Sequence, residues 1–322
     1  MRAIVADPLT HELDFHSVED PNCGGGEVLI DIHATSVNRA DLLQRAGKYP
    51  PPPGATDILG LDCAGIVTNV GPGVKRWKIG DRVCALLPGG GYAEKVAVHE
   101  SLILPIPQHW TFAEGGAFPE VFLTAFVNIF IEASAQRKES VLIHSGASGV
   151  GSAAIQLVVA SGSRAFATAG TQQKRDFCIS LGAERAVEHY HSDFAADLLQ
   201  YTEGVDVILD VAGAKYLEKN MRLLNTGGRL IIISLLSGSK AEIDLSRLML
   251  KRIRIVGSTL RSRPLEEKAA IVRAFEKRFW SIIESGKVAP VVDRILPIER
   301  AAEAHEILKR NENIGKVVLS VR

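Results

Sequence analysis

Glu27 to His33 sets Val28, Ile30 and Ile32 against Glu27, Leu29, Asp31 and His33, the period-two rhythm of a half-buried strand. Leu61 to Val70, Arg82 to Leu87 and Tyr92 to Val98 are further strand candidates, separated by glycine-bearing turns such as Val70-Gly-Pro-Gly-Val74. Pro50 to Pro53 excludes a helix or central strand there and predicts a stiff extended loop. Near Glu120 the rhythm changes. Leu123 to Ala133 reads as helix. Short apolar runs at Val141–His144, Arg164–Thr168, Val205–Leu209, Arg229–Ile233 and Arg254–Gly257 then alternate with helical stretches near 149–160, 172–180, 193–200, 214–223 and 244–249. That alternation predicts a parallel sheet covered on both faces. A long helix from Pro264 to Ile283, a strand near 291–295, a helix over Ile298–Leu308 and a strand over Lys316–Val321 complete the chain.

With 322 residues and 46% hydrophobic content, there is material for two packed domains. Lys plus Arg and Asp plus Glu each total 37, so no global field favours nucleic acid or an anionic membrane. Cys23, Cys63, Cys84 and Cys178 form no CxxC pair, which argues against a disulfide framework and for a reducing compartment. The stretch Asp7 to Asp14 is too polar for a signal peptide, and no uncharged apolar run reaches about 18 residues. A cytoplasmic protein is expected.

The most informative segment is Val141-Leu-Ile-His-Ser-Gly-Ala-Ser-Gly-Val-Gly151. A strand enters a small-residue bend and an apolar helix follows at once, so a pyrophosphate can approach backbone N–H groups at the positive end of a helix. Gly146, Ser148, Gly149, Val150 and Gly151 are the candidate contacts, with Ser148 in the middle-glycine position of the GxGxxG pattern. No Asp or Glu lies between Arg164 and Gln173, where an NAD-selective site places an acid. Thr171, Lys174 and Arg175 instead suit a 2′-phosphate, which predicts NADPH over NADH.

The order of elements, together with Asn38-Arg-Ala-Asp41, Gly47-Lys-Tyr-Pro-Pro-Pro-Pro-Gly54, Leu59-Gly-Leu-Asp62, the bend at 144–151, Leu260-Arg-Ser-Arg263 and Asn313-Ile-Gly-Lys316, resembles the zinc-free quinone oxidoreductases of the medium-chain dehydrogenase/reductase superfamily. Within that family it is most similar to the p53-inducible quinone oxidoreductase-like branch. The resemblance implies an α/β protein: a GroES-like β-rich catalytic domain over 1–121, a Rossmann doubly wound parallel-sheet domain over 122–263, and a return to the catalytic domain over 264–322. It further implies NADPH bound between domains, reduction of quinones or related electrophiles, and assembly as a homodimer or homotetramer through a Rossmann sheet edge. Neither a nucleic acid nor a membrane is an expected partner.

Zinc-dependent relatives carry a Cys near the segment that here reads Ser36-Val37-Asn38 and Gly-His-Glu where this chain has Gly60-Leu61-Asp62; Leu61 cannot ligate a metal and Asn38 is a poor substitute for a thiolate, so no metal is expected. A quinone is already electron-poor, so hydride transfer needs proximity and a dry site more than a Lewis acid. Tyr49, beside the proline run, is the leading candidate to stack on substrate and donate a hydrogen bond. Asn38 can present donor and acceptor, and Asp41 can position Asn38, a ribose hydroxyl or a water. The resemblance also implies cofactor contacts from Tyr190, Ser234, Leu235, Leu260, Arg261, Asn313 and Lys316. Two other activities remain open: NADPH-dependent enal or enone reduction, and a cofactor-binding structural or regulatory role with little turnover.

Overall fold

A computed structural model describes residues 1–322 and resolves two compact units, Met1–Leu123 with Arg261–Arg322, and Thr124–Leu260. The first part of the first unit holds β1 (Arg2–Ala6), β2 (Leu13–Ser17), β3 (Glu27–Ser36), helix α1 (Arg39–Arg45), β4 (Asp62–Val70), β5 (Arg82–Leu86), β6 (Lys95–His99), β7 (Ile103–Pro105) and α2 (Phe112–Gly116). Helix α3 (Pro119–Phe126) follows and widens into a π-helical segment over Val127–Glu132.

The second unit continues with β8 (Ser140–Ile143), α4 (Gly149–Ala160), β9 (Arg164–Thr168), α5 (Gln172–Ser180), β10 (Arg185–Val187), α6 (Phe194–Leu198), β11 (Val205–Asp210), α7 (Leu217–Leu223), β12 (Leu224–Ile232), α8 (Leu245–Leu250) and β13 (Arg254–Gly257). The chain then re-enters the first unit through α9 (Leu265–Glu284), β14 (Val292–Pro297), α10 (Ala301–Lys309) and β15 (Lys316–Ser320).

In the first unit, β14-β15-β3-β4-β5-β7 form one sheet, with β6 also paired to β3. The alternation in β3 puts Val28, Ile30, Ile32 and Ala34 inside. One core gathers Ile4, Val37, Leu59 and Tyr92 with Ile298, Val317 and Leu319, so residues from both ends of the chain share it. The β1–β2 hairpin, absent from the period-two reading, forms a separate two-stranded sheet.

The second unit is a six-stranded, wholly parallel sheet in the order β10-β9-β8-β11-β12-β13. Strand β8 is buried throughout, as a central parallel strand must be. The chain runs outward from β8 to β10 and then returns to β11, so the winding direction reverses between β8 and β11. Ligands of open parallel sheets bind outside the carboxyl ends of the strands at such a reversal. No helix is long and apolar enough to cross a membrane.

Candidate active site and dinucleotide loop

Because every strand of the second unit points the same way, the ends of β8, β9, β11 and β12 lie along one edge of its sheet. The bend His144–Ser148 leaves β8 there. Ser145 holds φ 55°, a left-handed conformation that costs a non-glycine residue about 1 kcal/mol or more. Its N–H donates to Thr168 Oγ1 (3.3 Å), and Gly146 N–H donates to the Thr168 carbonyl (2.9 Å). Ser148 caps α4 by accepting from Gly151 N–H at 3.1 Å. The N–H groups of Gly149 and Val150, in the first turn, have no acceptor within the helix.

Space explains the glycines. A Cβ on Gly151 would stand 2.3 Å from the Ser145 carbonyl oxygen and 2.7 Å from Gly146 Cα. One on Gly146 would stand 2.7 Å from Ala167 Cβ and 2.8 Å from Cys178 Sγ. The bend is therefore packed tightly from below while its outer side presents backbone.

A polar chain that the sequence reading missed supports this bend. Asn220 donates its amide to Asp210 Oδ2 (3.2 Å), so its carbonyl oxygen faces His144 Nε2 at 2.8 Å and must accept from it. His144 Nδ1 then accepts from the Thr168 hydroxyl at 3.0 Å. Asp210 Oδ1 accepts from the N–H groups of Ala212 (2.6 Å) and Gly213 (3.1 Å). Burial pushes His144 down to about 4 and Asp210 up to about 6, with the donors to Asp210 opposing its rise. The chain crosses from the end of β8 to the end of β11 with neutral His144 as its centre.

At the end of β9, Thr171 caps α5 by accepting from Lys174 N–H at 3.3 Å. Tyr190 is 63% exposed, and its ring covers Gly170: a Cβ at Gly170 would come within 2.5 Å of it. The His189 ring lies tilted against Tyr190, with centroids 4.1 Å apart. The structure thus gathers Thr171, Lys174 and Tyr190 beside the bend's side of the sheet. Ser234 is half-buried and Leu235 exposed just past β12, while Leu260 is buried at the end of the unit.

In the first unit, Asn38, Asp41, Asn313 and Lys316 belong to one buried network. Asp41 has no exposed surface. Its carboxylate accepts from Asn38 N–H (2.7 Å), Gly60 N–H (3.1 Å) and the Tyr92 hydroxyl (3.2 Å), and that hydroxyl also meets His305 Nε2 at 3.1 Å. Burial foremost pushes Asp41 up to about 7, opposed by the Asn38 N–H and reinforced by the charge of Asp62. From this position Asp41 braces the start of α1 through the Asn38 N–H.

Asn38 donates its side-chain amide to Asp62 Oδ2 (3.2 Å) and the Ser36 carbonyl (3.3 Å), and its oxygen accepts from Lys316 Nζ. Lys316 also donates to the Val37 carbonyl (3.1 Å) and stands 3.6 Å from Asp62. Its ammonium is bonded inside the protein. Asn313, likewise buried, donates to the Gly315 carbonyl (2.7 Å) and shapes the turn into β15. Ser36 completes the cage around Asp62 with its N–H (3.1 Å) and hydroxyl (2.8 Å).

Tyr49 is half-buried, with Arg261 Cζ 5.3 Å from its ring centroid. Burial first of all raises its hydroxyl pKa, and Arg261 opposes that rise. Arg261 donates Nε to the Pro88 carbonyl and Nη2 to Gln44 Oε1, both at 2.7 Å. Helix α1 therefore serves both groups, with Asn38 and Asp41 at its start and Gln44 near its end.

This combination, a GroES-like β unit interrupted by a doubly wound parallel sheet with a phosphate-type bend, defines an alcohol-dehydrogenase-type fold. Residues 24–108 match the alcohol dehydrogenase GroES-like domain and residues 149–276 match the domain described as zinc-binding dehydrogenase. The chain is 34% identical over 297 residues to quinone oxidoreductase of Rattus norvegicus, covering 91% of this chain and 88% of that protein. A solved NAD-dependent alcohol dehydrogenase superposes with a TM-score of 0.86 at 31% identity, covering 100% of both chains. The CurK enoyl reductase superposes with a TM-score of 0.86 at 25% identity, covering 99% of this chain and 98% of that one. The chain belongs to the medium-chain dehydrogenase/reductase superfamily, in its quinone oxidoreductase-like branch. It is an oxidoreductase of a family that works with nicotinamide dinucleotides.

The residues fit such a dinucleotide: the bend excludes side chains, and Gly149 and Val150 amides open the helix. They do not fit zinc. Asn38 offers an amide, Leu61 an alkyl group, Asp62 is held by Lys316 and Ser36, and no three His, Cys, Asp or Glu side chains converge anywhere.

Proposed function

We propose that this protein reduces quinones by NADPH-dependent hydride transfer without zinc. The observation that carries the reading is the bend at 145–151 backed by Thr171 and Lys174 at the end of β9, with no acid where an NAD-selective site would place one. When bound, NADPH supplies the hydride. Gly149 and Val150 would hold its diphosphate, Thr171 and Lys174 its 2′-phosphate, and Tyr190 its adenosine end. Ser234, Leu235 and Leu260 would line the rest of its path.

Tyr49 stacks on the acceptor, and its hydroxyl, kept protonated by burial, donates to the oxygen that gains charge. The resulting hydroquinone anion takes its proton from water or from that hydroxyl. Asn38 and Asp41 keep the wall of the site rigid. Strand β13 closes the sheet with an unpaired edge, and Leu245, Met249 and Leu250 of α8 are exposed near it in sequence; a second copy of the chain would cover them, giving a homodimer or a tetramer. The cytoplasm suits four unpaired cysteines.

Likeness to an enoyl reductase favours a second reading, reduction of an enal or enone double bond by the same cofactor. Initial rates with 1,2-naphthoquinone and a 2-alkenal, each added to NADPH-loaded protein, separate the two. Faster quinone reduction is expected. A strong preference for the alkenal overturns the quinone assignment, and NADPH binding with no oxidation by any electrophile indicates a non-enzymatic role.

A further inference from the structure

Of the four buried cations in this chain, two come with a carboxylate. Arg229 is bridged to Glu139 and also donates to the Ala133 and Asp206 carbonyls. Lys316 has Asp62. Arg261 and Lys268 do not. Arg261 is 7% exposed, and while Nε and Nη2 are satisfied, its buried Nη1 has no hydrogen-bond partner. Lys268 is 8% exposed, and its ammonium makes one long bond, 3.4 Å, to the carbonyl of Arg261 itself. Neither forms an ion pair with a carboxylate.

Lys268 also sits in the opening turn of the twenty-residue helix α9, where the helix dipole disfavours a cation. Burial, and then the charge of Arg261, hold its ammonium below the usual lysine range. Two adjacent buried positive charges without a bonded acid, the Asp41 carboxylate acting on Arg261 only from beyond ion-pair distance, are costly, and an unpaired buried N–H adds to that cost. An incoming anion would remove both penalties.

We propose that Arg261 and Lys268 form a seat for a fixed negative charge on the electron acceptor, so that the substrate class is quinones or enones bearing a carboxylate or comparable anionic group. Placement beside Tyr49, whose ring lies against the Arg261 guanidinium, assigns the seat to the acceptor. This assignment rests on Tyr49 stacking against the acceptor, as proposed above.

The test compares kcat/KM for 1,4-naphthoquinone-2-sulfonate and for 1,4-naphthoquinone in wild type, Lys268→Met and Lys268→Arg at saturating NADPH. The sulfonate-to-neutral ratio is expected to fall about tenfold or more in Lys268→Met, the worth of one charge-assisted contact, and to survive in Lys268→Arg. Without ligand, Lys268→Met should melt higher than wild type, because it removes an unpaired buried charge. Calorimetry with 2-naphthalenesulfonate needs no turnover and should show the same loss of affinity. An unchanged ratio and an unchanged naphthalenesulfonate affinity in folded Lys268→Met overturn the proposal. A loss confined to NADPH affinity also overturns it, because the anion is then a nucleotide phosphate. If wild type reduces neither quinone yet binds the sulfonate through Lys268, the quinone reading fails and the seat stands.

Discussion

Lys316→Met leaves Asp62 as a buried carboxylate without its cationic partner. The two side chains are 4% and 0% exposed and stand 3.6 Å apart, so solvent cannot take over the role of the ammonium. Breaking a buried pair by removing one member costs about 3–5 kcal/mol. Asp62 keeps the Ser36 N–H and hydroxyl and the Asn38 amide, which places the expected loss near the lower figure, about 3 kcal/mol. Trp77, Trp110 and Trp280 all lie in the unit that holds this pair, so tryptophan fluorescence during denaturant unfolding reports on that unit. The midpoint should fall sharply in Lys316→Met. Adding Asp62→Asn to that variant should recover at least half of the loss, because no uncompensated charge remains. A loss below about 1 kcal/mol, or a double variant no better than the single one, refutes the reasoning.

Gly151→Ala places a Cβ against backbone at 2.3 Å, so the bend must move; NADPH affinity should fall about tenfold or more by calorimetry while circular dichroism stays native. Tyr49→Phe should keep kcat for quinones within about tenfold because water can protonate the product, whereas a loss beyond about a hundredfold would make the hydroxyl an obligatory acid. His144 is held down at about 4 in the folded chain against an ordinary value near 6.5, so wild type loses stability as pH falls from about 6.5 towards 4, by up to about 3 kcal/mol. His144→Gln should be less stable than wild type at pH 8, and the gap should narrow through that window; a gap that stays constant with pH contradicts the buried neutral assignment.

The parallel sheet was legible because its signal is local. Buried parallel strands need continuous apolar runs, and Val141–Ile143 or Val205–Leu209 could hardly sit anywhere else. The bend that follows β8 was legible for the same reason, since strand, small residues and helix are contiguous. The first unit's polar network was not. Lys316 meets Asn38 from 278 positions away, and nothing in either local sequence announces the partner. The sequence singles out Asn38 and Asp41, but the way Asp62, Tyr92 and His305 close around them could not be read there. His144 ends an apolar run and so reads as strand; its partners come from β9 and α7. Lys268 in the opening turn of a long amphipathic helix reads as solvated, and only its burial without an ion-pair partner marks it out.

The proposed chemistry depends most on a dinucleotide occupying the bend after β8, and an anaerobic calorimetric titration of NADPH and NADH into wild type and Lys174→Ala tests that directly. Wild type should bind NADPH more tightly than NADH, and Lys174→Ala should weaken NADPH about tenfold with a much smaller effect on NADH. Absence of binding heat and affinity for both nucleotides, in protein shown to be folded, would contradict it.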